Sequence, residues 1–262
     1  MRILVTGAYG LIAWESYKRF RDRGEETYAL ARRREPSERV AQEEEIHVPK
    51  DRFFLADLTE YDAVRSAVDG MDVVVQMAAD PRPDAAWEAI LNSNMIGVYN
   101  VFEACHDAGV KRIVYASSIM ANWGYWDVEP YKAIREGRFD DVPDELPVIT
   151  VQNPPRPTEP YSASKVWGEA LARIYSDAKG MSCICIRIGW VNAADSPQGS
   201  PIAPIWSSQR DIVQMIERCV DAPDDLRFDI FYGVSDNANC WVDVARGSEI
   251  GYVPEDRAQD IS

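Results

Sequence analysis

Over the first 120 residues, apolar runs of about five residues alternate with amphipathic stretches of ten or more. That alternation is the βαβ pattern of a parallel sheet covered by helices on both faces. It predicts strands at Arg2–Thr6, Thr27–Ala31, Arg52–Leu55 and Asp72–Gln76, with helices at Leu11–Arg23 and Ala63–Val68. A long helix from about Trp87 to Ala108 stops at Gly109 and feeds a strand at Arg112–Ala116. A further helix, Ser162–Ala178, stops at Gly180 and feeds Ser182–Arg187. Glycine just past the last periodic residue is a helix stop because it adopts the left-handed conformation without a Cβ clash.

Two stretches break the period. Residues 122–160 hold seven prolines, several aromatics and no sustained repeat, which predicts a long loop beside a site, with one short helix in it. A second proline-rich stretch runs from Gly189 to Pro204, before a predicted helix Ser208–Cys219, a strand Arg227–Tyr232 and an acidic end. The expected fold class is α/β, a doubly wound parallel sheet over residues 1–190, with a small C-terminal substrate-capping region over 191–262.

Composition narrows the function. The chain has 262 residues, 46% of them hydrophobic, and a formal net charge of −15, so it is expected to be one large globular domain without a positive field for nucleic acid. No run approaches the roughly 18 apolar residues of a membrane span, and the N-terminus enters a strand without a basic, apolar leader. A cytoplasmic location and no membrane partner are expected. The five cysteines (105, 183, 185, 219 and 240) are dispersed and the two histidines are His47 and His106, so neither a disulfide framework nor a metal site is read.

Between the first strand and the first helix stands Thr6-Gly7-Ala8-Tyr9-Gly10-Leu11-Ile12-Ala13. A G-x-x-G-x-x-A turn there lets backbone N–H groups and a helix N-terminus face a pyrophosphate, the Rossmann-like arrangement for a dinucleotide. The alternative is a plain structural turn. The second strand ends in Ala31-Arg32-Arg33-Arg34, where an acid would bind the ribose of NAD. Arg32 and Arg33 instead suit a 2′-phosphate, so NADP(H) is expected as the preferred cofactor and NAD(H) as the alternative. A solvated basic patch competes with that reading, since Glu35, Glu38 and Glu43 to Glu45 follow. Asp57, before Leu58, suits either a helix cap or an acceptor for the adenine amino group.

Tyr161 and Lys165 share one helix face by their i, i+4 spacing. An ammonium beside a phenol favours the phenolate, which makes Tyr161 a candidate general acid or base. Ser118, past the central strand, is placed where open α/β sheets bind ligands and would hydrogen-bond the substrate oxygen. Asn94 suits either a buried amide near Lys165 or ordinary helix packing.

The succession of T-G-x-x-G-x-x-A, Asp57-Leu58, a central strand ending in Ala78-Ala79, Asn94-Met95-Ile96-Gly97, Ser117-Ser118 and Tyr161-x-x-x-Lys165 resembles the extended short-chain dehydrogenase/reductase family along essentially the whole chain. Within it, Ala79-Asp80-Pro81-Arg82-Pro83, Arg156-Pro157, Arg187-Ile188-Gly189 and Tyr232-Gly233-Val234-Ser235-Asp236-Asn237 resemble uronate dehydrogenases and short-chain NAD-dependent glucose-6-phosphate dehydrogenases, which oxidise a sugar at C1. The resemblance implies Ser118, Tyr161 and Lys165 as the catalytic triad, with Asn94 in support. It implies Gly7, Gly10, Asp57, Ala78 and Ala79 as cofactor contacts. Tyr9, Leu11, Ile12, Leu58, Met77, Ile188, Tyr161 and Lys165 complete that set with Arg32 and Arg33.

Where those dehydrogenases have Asn-His after the paired serines, this chain has Ile119-Met120, and Trp190 replaces a serine after R-I-G. Met120, Trp123, Trp126 and Trp190 therefore suggest a less polar or aromatic substrate, or a sugar stacked on a tryptophan, unless they only pack the loop. The substrate-binding candidates are Ser118, Met120, Trp123, Trp190 and Arg210, the last as an anion anchor or a plain helix-surface residue. Three functions compete. The leading one is an NADP(H)-dependent oxidoreductase acting on a carbonyl or carbinol of a sugar-like or aromatic small molecule. The others are an epimerase or dehydratase with retained NAD(P), and an NAD-dependent sugar C1 dehydrogenase; a non-enzymatic cofactor sensor is disfavoured because Tyr161 and Lys165 are both present. A homodimer is expected through helices near Asn94–Glu103 and Val166–Tyr175.

Overall fold

The computed structural model describes residues 1–37, 40 and 47–261. Its frame is one seven-stranded parallel sheet: β1 (Arg2–Thr6), β2 (Glu26–Ala31), β3 (Phe53–Leu55), β4 (Val73–Gln76), β5 (Arg112–Ser118), β6 (Ser182–Ile188) and β7 (Phe228–Gly233). The spatial order is β3-β2-β1-β4-β5-β6-β7, so the winding reverses between β1 and β4. Helices fill the crossovers: α1 (Leu11–Asp22), α2 (Tyr61–Val68), α3 (Trp87–Ala89), α4 (Gly97–Ala108), α5 (Tyr131–Arg135), α6 (Pro160–Lys179) and α7 (Gln209–Val220).

Alternation along the strands divides the core. Ile3 and Val5 of β1, Val75 of β4 and Ile184 and Ile186 of β6 face one layer, made by Trp14, Tyr17 and Phe20 of α1 and Ile212, Met215 and Ile216 of α7. Leu4, Val74, Ile113 and Cys183 face the other, against α2, α4 and α6. The central strands β1, β4, β5 and β6 are apolar on both faces, as a doubly covered sheet requires. A third cluster lies beyond the strand ends and joins the 122–160 loop to the last part of the chain: Trp126 stacks on Trp241 at 5.5 Å between centroids, and Ile149 pairs with Val242.

Several boundaries depart from the sequence pattern. The expected helix from Trp87 to Ala108 is helical throughout, yet Ile90–Ile96 forms a π-helical turn between α3 and α4; such insertions re-aim side chains and are frequent at functional sites. β5 runs on past Ala116, because Ser117 and Ser118 keep pairing with Arg187 and Ile188 of β6. α6 starts at Pro160, earlier than expected, on a reciprocal cap between Glu159 and Ser162. Residues 191–262, expected as a separate capping region, supply β7 to the same sheet and α7 to the same core. Among the described residues, no helix is long and apolar enough to cross a membrane.

Candidate active site

A cleft of about 540 Å³ opens at the carboxyl ends of β1 to β4, where reversal of the winding leaves a crevice between diverging crossovers. The turn after β1 lines it with Gly7, Tyr9, Gly10, Leu11 and Ile12, β2 with Arg32 and Arg33, and the turns after β3 and β4 with Asp57, Leu58, Met77, Ala78 and Ala79. These predicted cofactor contacts therefore converge on one wall. Gly7 has φ +70°, and a Cβ there would stand 2.9 Å from Ala78 Cα, so only glycine lets the two turns touch. Thr6 and Gln76 tie them from beneath. Thr6 Oγ donates to Gln76 Oε1 (2.7 Å) and accepts from the amides of Met77 (3.0 Å) and Ala78 (3.1 Å).

The residues fit a dinucleotide. α1 starts after Gly10 with no side-chain cap and no acid in its first turn, which leaves its first amides and the positive end of the helix dipole toward the cleft. The three arginines after β2 separate. Arg34 lies over the Phe53 ring at 4.4 Å, while Arg32 and Arg33 line the cleft. Glu38 and Glu43 to Glu45, weighed as neutralising this patch, lie outside the described residues.

Asp57 does not cap the next helix as one reading had it, since the residue before α2 is Glu60. Asp57 instead closes a turn by accepting from the Thr59 amide (2.9 Å) and hydroxyl (2.8 Å). Those bonds, with the Arg32 charge, hold its carboxyl below the usual carboxylate range. A second cleft carboxylate, Asp80, lies in the Ala79–Pro83 stretch that carries the resemblance, where no site role is read for it. Arg82 holds it through Nε (3.0 Å) and Nη2 (2.7 Å), and both residues line the cleft with Ser37, Ser93 and Val191.

The expected triad stands at the end of β5 and on the first turns of α6, outside this lining. Ser118 closes β5, buried, with its Oγ accepting from the Met120 amide (3.2 Å). Tyr161 is the second residue of α6, and Lys165 lies one turn further on. Lys165 Nζ donates to the Ala116 carbonyl (2.8 Å) and sits 5.6 Å from the Tyr161 ring centre and 5.5 Å from that of Tyr115. Burial pushes its ammonium down to about 8, against the opposing pull of Glu169. Asn94, on the π-helical turn, is fully buried. Its amide accepts from the Asp80 N–H (2.7 Å) and donates to the Asp80 carbonyl (3.0 Å) and Ser164 Oγ (3.3 Å). Since Ser164 in turn donates to the Tyr161 carbonyl (2.6 Å), Asn94 ties the cleft wall to the first turn of α6. Ile188 closes β6 opposite Ser118.

The substrate-side candidates divide. Met120 and Trp123 are half-buried against the third core cluster, and Trp190 is half-buried and pairs with Trp206. Trp126 is fully packed within that cluster. Arg210 is not brought to the site: it is exposed on α7, forked onto Asp256 (Nη2 at 2.6 Å) with Glu255 beside it. A surface guanidinium satisfied by two carboxylates does not serve as a substrate anchor, and the expectation for Arg210 is corrected.

Behind the triad lies a buried polar network that sequence reasoning passed over. Glu169 takes a fork from Arg187 (Nε and Nη2, both 2.8 Å) and the Ser117 hydroxyl (2.6 Å). Arg187 also donates to Tyr232 Oη (3.0 Å), which contacts the Asn122 amide (2.8 Å). The i, i+4 spacing of Lys165 and Glu169 was the available signal; the partners come from other strands.

Comparison with known proteins agrees with this geometry. The NAD dependent epimerase/dehydratase family matches residues 3–202. The chain is 34% identical to NAD-dependent glucose-6-phosphate dehydrogenase of Haloferax volcanii over 221 residues, 82% of this chain and 80% of that protein. It is 30% identical to L-arabinose 1-dehydrogenase (NAD(P)(+)) of the same organism, over 99% of this chain and 98% of the relative. A variant of uronate dehydrogenase from Agrobacterium tumefaciens, solved in complex with NAD, superposes with a TM-score of 0.79 at 27% identity, covering 99% of this chain and 86% of that one. On the phosphate turn, the switch-point cleft and these matches together, the chain belongs to the NAD-dependent epimerase/dehydratase family, the extended branch of the short-chain dehydrogenases/reductases, and is an oxidoreductase of that family.

Proposed function

We propose that the protein oxidises an aldose at C1, passing hydride to NAD or NADP and leaving a lactone. The observation that carries this reading is the match, over most or all of both chains, to dehydrogenases named for glucose 6-phosphate and L-arabinose. It favours the sugar C1 dehydrogenase over the leading expectation of an NADP(H)-dependent oxidoreductase of a sugar-like or aromatic carbonyl or carbinol, whose NADP preference rested on the basic end of β2. Arg32 and Arg33 keep a narrower meaning: their place in the cleft suits a 2′-phosphate, so NADP is accepted beside NAD.

In this reading the nicotinamide, when bound, supplies the hydride acceptor. The chain's own groups do the rest. Tyr161, as phenolate, takes the proton of the C1 hydroxyl while hydride leaves the same carbon, and Ser118 donates to that oxygen to orient it. Lys165, held by the Ala116 carbonyl, keeps a positive charge beside the phenol so that proton transfer runs near neutral pH. Ile119 and Met120 replace polar groups next to Ser118, and Trp123 and Trp190 offer flat apolar faces, so the sugar is held by stacking more than by hydrogen bonds.

The test is spectrophotometric. Glucose 6-phosphate, L-arabinose and glucuronate, each with NAD⁺ and with NADP⁺, are expected to yield reduced nicotinamide and a lactone for at least one sugar. Arg32→Asp/Arg33→Ala is expected to lose NADP⁺ use and keep NAD⁺ use. Inertness toward all three sugars, together with NADPH-dependent reduction of simple aldehydes or ketones, would overturn the reading.

A further inference from the structure

The buried Glu169–Arg187 pair has no place in the mechanism above, and its location is not that of an ordinary core ion pair. Glu169 stands one helical turn beyond Lys165 and two beyond Tyr161 on α6, and it is 4% exposed. Three bonds fix its carboxylate: the Arg187 fork from the end of β6 and the Ser117 hydroxyl from the end of β5. Ser117 immediately precedes Ser118, and Arg187 immediately precedes Ile188. The carboxylate thus braces the strand ends that carry the site, and Tyr232 extends the brace to β7 and, through the Asn122 amide, to the long loop.

Resting on the assignment of Tyr161 and Lys165, we propose that Glu169 is a positioning residue that keeps Lys165 protonated in a buried site, so that Tyr161 ionises beside a cation. Burial of an ammonium favours loss of its proton, while a carboxylate fixed nearby resists that loss. Among the described residues, the titratable groups facing Lys165 are Tyr161 and Glu169 from α6 and the Tyr115 ring from β5. Around Glu169 stand Arg187 and Cys185 on β6, Tyr115 on β5 and Tyr232 on β7. Burial raises both tyrosines and the cysteine, so they stay neutral at working pH. Among the described residues, Glu169 is therefore the carboxylate that acts on Lys165, and Arg187 and Ser117 hold it in place. Any proton lost from Lys165 before Tyr161 ionises would leave the phenolate without its cation.

The experiment is an ultraviolet titration of tyrosinate in the purified full-length protein, with the Tyr161→Phe curve subtracted to isolate Tyr161, and it requires no substrate. Lys165→Met sets the upper limit, the pH at which Tyr161 ionises with no cation beside it. Glu169→Gln is expected to move the Tyr161 ionisation upward by roughly one pH unit, toward the Lys165→Met value. Because Glu169→Gln leaves Arg187 buried without its partner, Glu169→Gln/Arg187→Met is measured beside it; replacing a buried ion pair as a unit is commonly tolerated. The same upward shift is expected in the double variant. A Tyr161 ionisation unchanged from wild type in folded Glu169 variants would overturn the inference while leaving the triad intact. If wild type and Lys165→Met ionise at the same pH, the Tyr161–Lys165 assignment itself falls.

Discussion

At the residue scale, the proposed chemistry turns on a lysine that burial makes more acidic than usual. Lys165 titrates near 10.5 when exposed and near 8 in the folded chain, because it is buried. Between those two values the unfolded chain binds more protons than the folded one, so stability contributed by this site rises as pH goes from about 8 to 10.5. Denaturant midpoints across that window are expected to climb more steeply for wild type than for Lys165→Met. The same variant is expected to lose at least 100-fold in sugar oxidation while unfolding no more easily than wild type at neutral pH, since it removes a buried charge along with the chemistry. Gly7 tests the opposite wall. Gly7→Ala forces a Cβ against Ala78 in a left-handed backbone and is expected to cost about 1–3 kcal/mol, with cofactor affinity falling in parallel by fluorescence titration. Both residues were legible in the sequence because their signals are local: a glycine spacing beside a strand, and two side chains one turn apart. Glu169 was not, since its partners Arg187 and Ser117 arrive only with the assembled sheet.

At the element scale, the element most exposed to small changes is the start of α6. Its first turn carries Tyr161 and is held by the Glu159–Ser162 reciprocal cap and by the Ser164–Asn94 bond to the π-helical turn. Glu159→Ala is expected to cost about 1 kcal/mol in denaturant unfolding and to lower kcat more than it raises the Kd for NAD, because the cleft wall stays untouched. Alternation and helix stops placed nearly every strand and helix, since a doubly covered sheet repeats its apolar signal in each strand. They did not separate α3 from α4. A π-helical turn keeps the amphipathic character of its neighbours, and only the aim of Asn94 reveals it. Nor did the basic end of β2 reveal that Arg34 would be drawn onto Phe53, a contact between strands distant in sequence.

For the whole molecule, the expected second copy remains a proposal with a surface to match. Ile96 at the end of the π-helical turn, Tyr99 on α4 and Ile174 on α6 are exposed apolar residues on the two stretches named for it. Sedimentation of the wild type is expected to show a dimer, and Tyr99→Glu/Ile174→Glu a monomer that still binds NAD. The division at residue 190 is less sharp than the sequence suggested, because β7 and α7 complete the same sheet and core. Its real content is the third cluster, in which Trp241 packs on Trp126 and Tyr131 of the long loop. Trp241→Ala is expected to destabilise by about 3–5 kcal/mol and to raise KM for the sugar while Kd for NAD stays near wild type.

That cluster also imposes an order in time. The turns that line the cleft come from β1 to β4, in the first third of the sequence, whereas the 122–160 loop is fastened by Trp241 and Val242, far along it. During synthesis the residues of the cleft turns are made well before Trp241 and Val242, so the long loop gains its anchor later than the cleft gains its wall. The later part of the chain is nonetheless felt at the cleft, because α7 packs against α1 in the layer that backs β1.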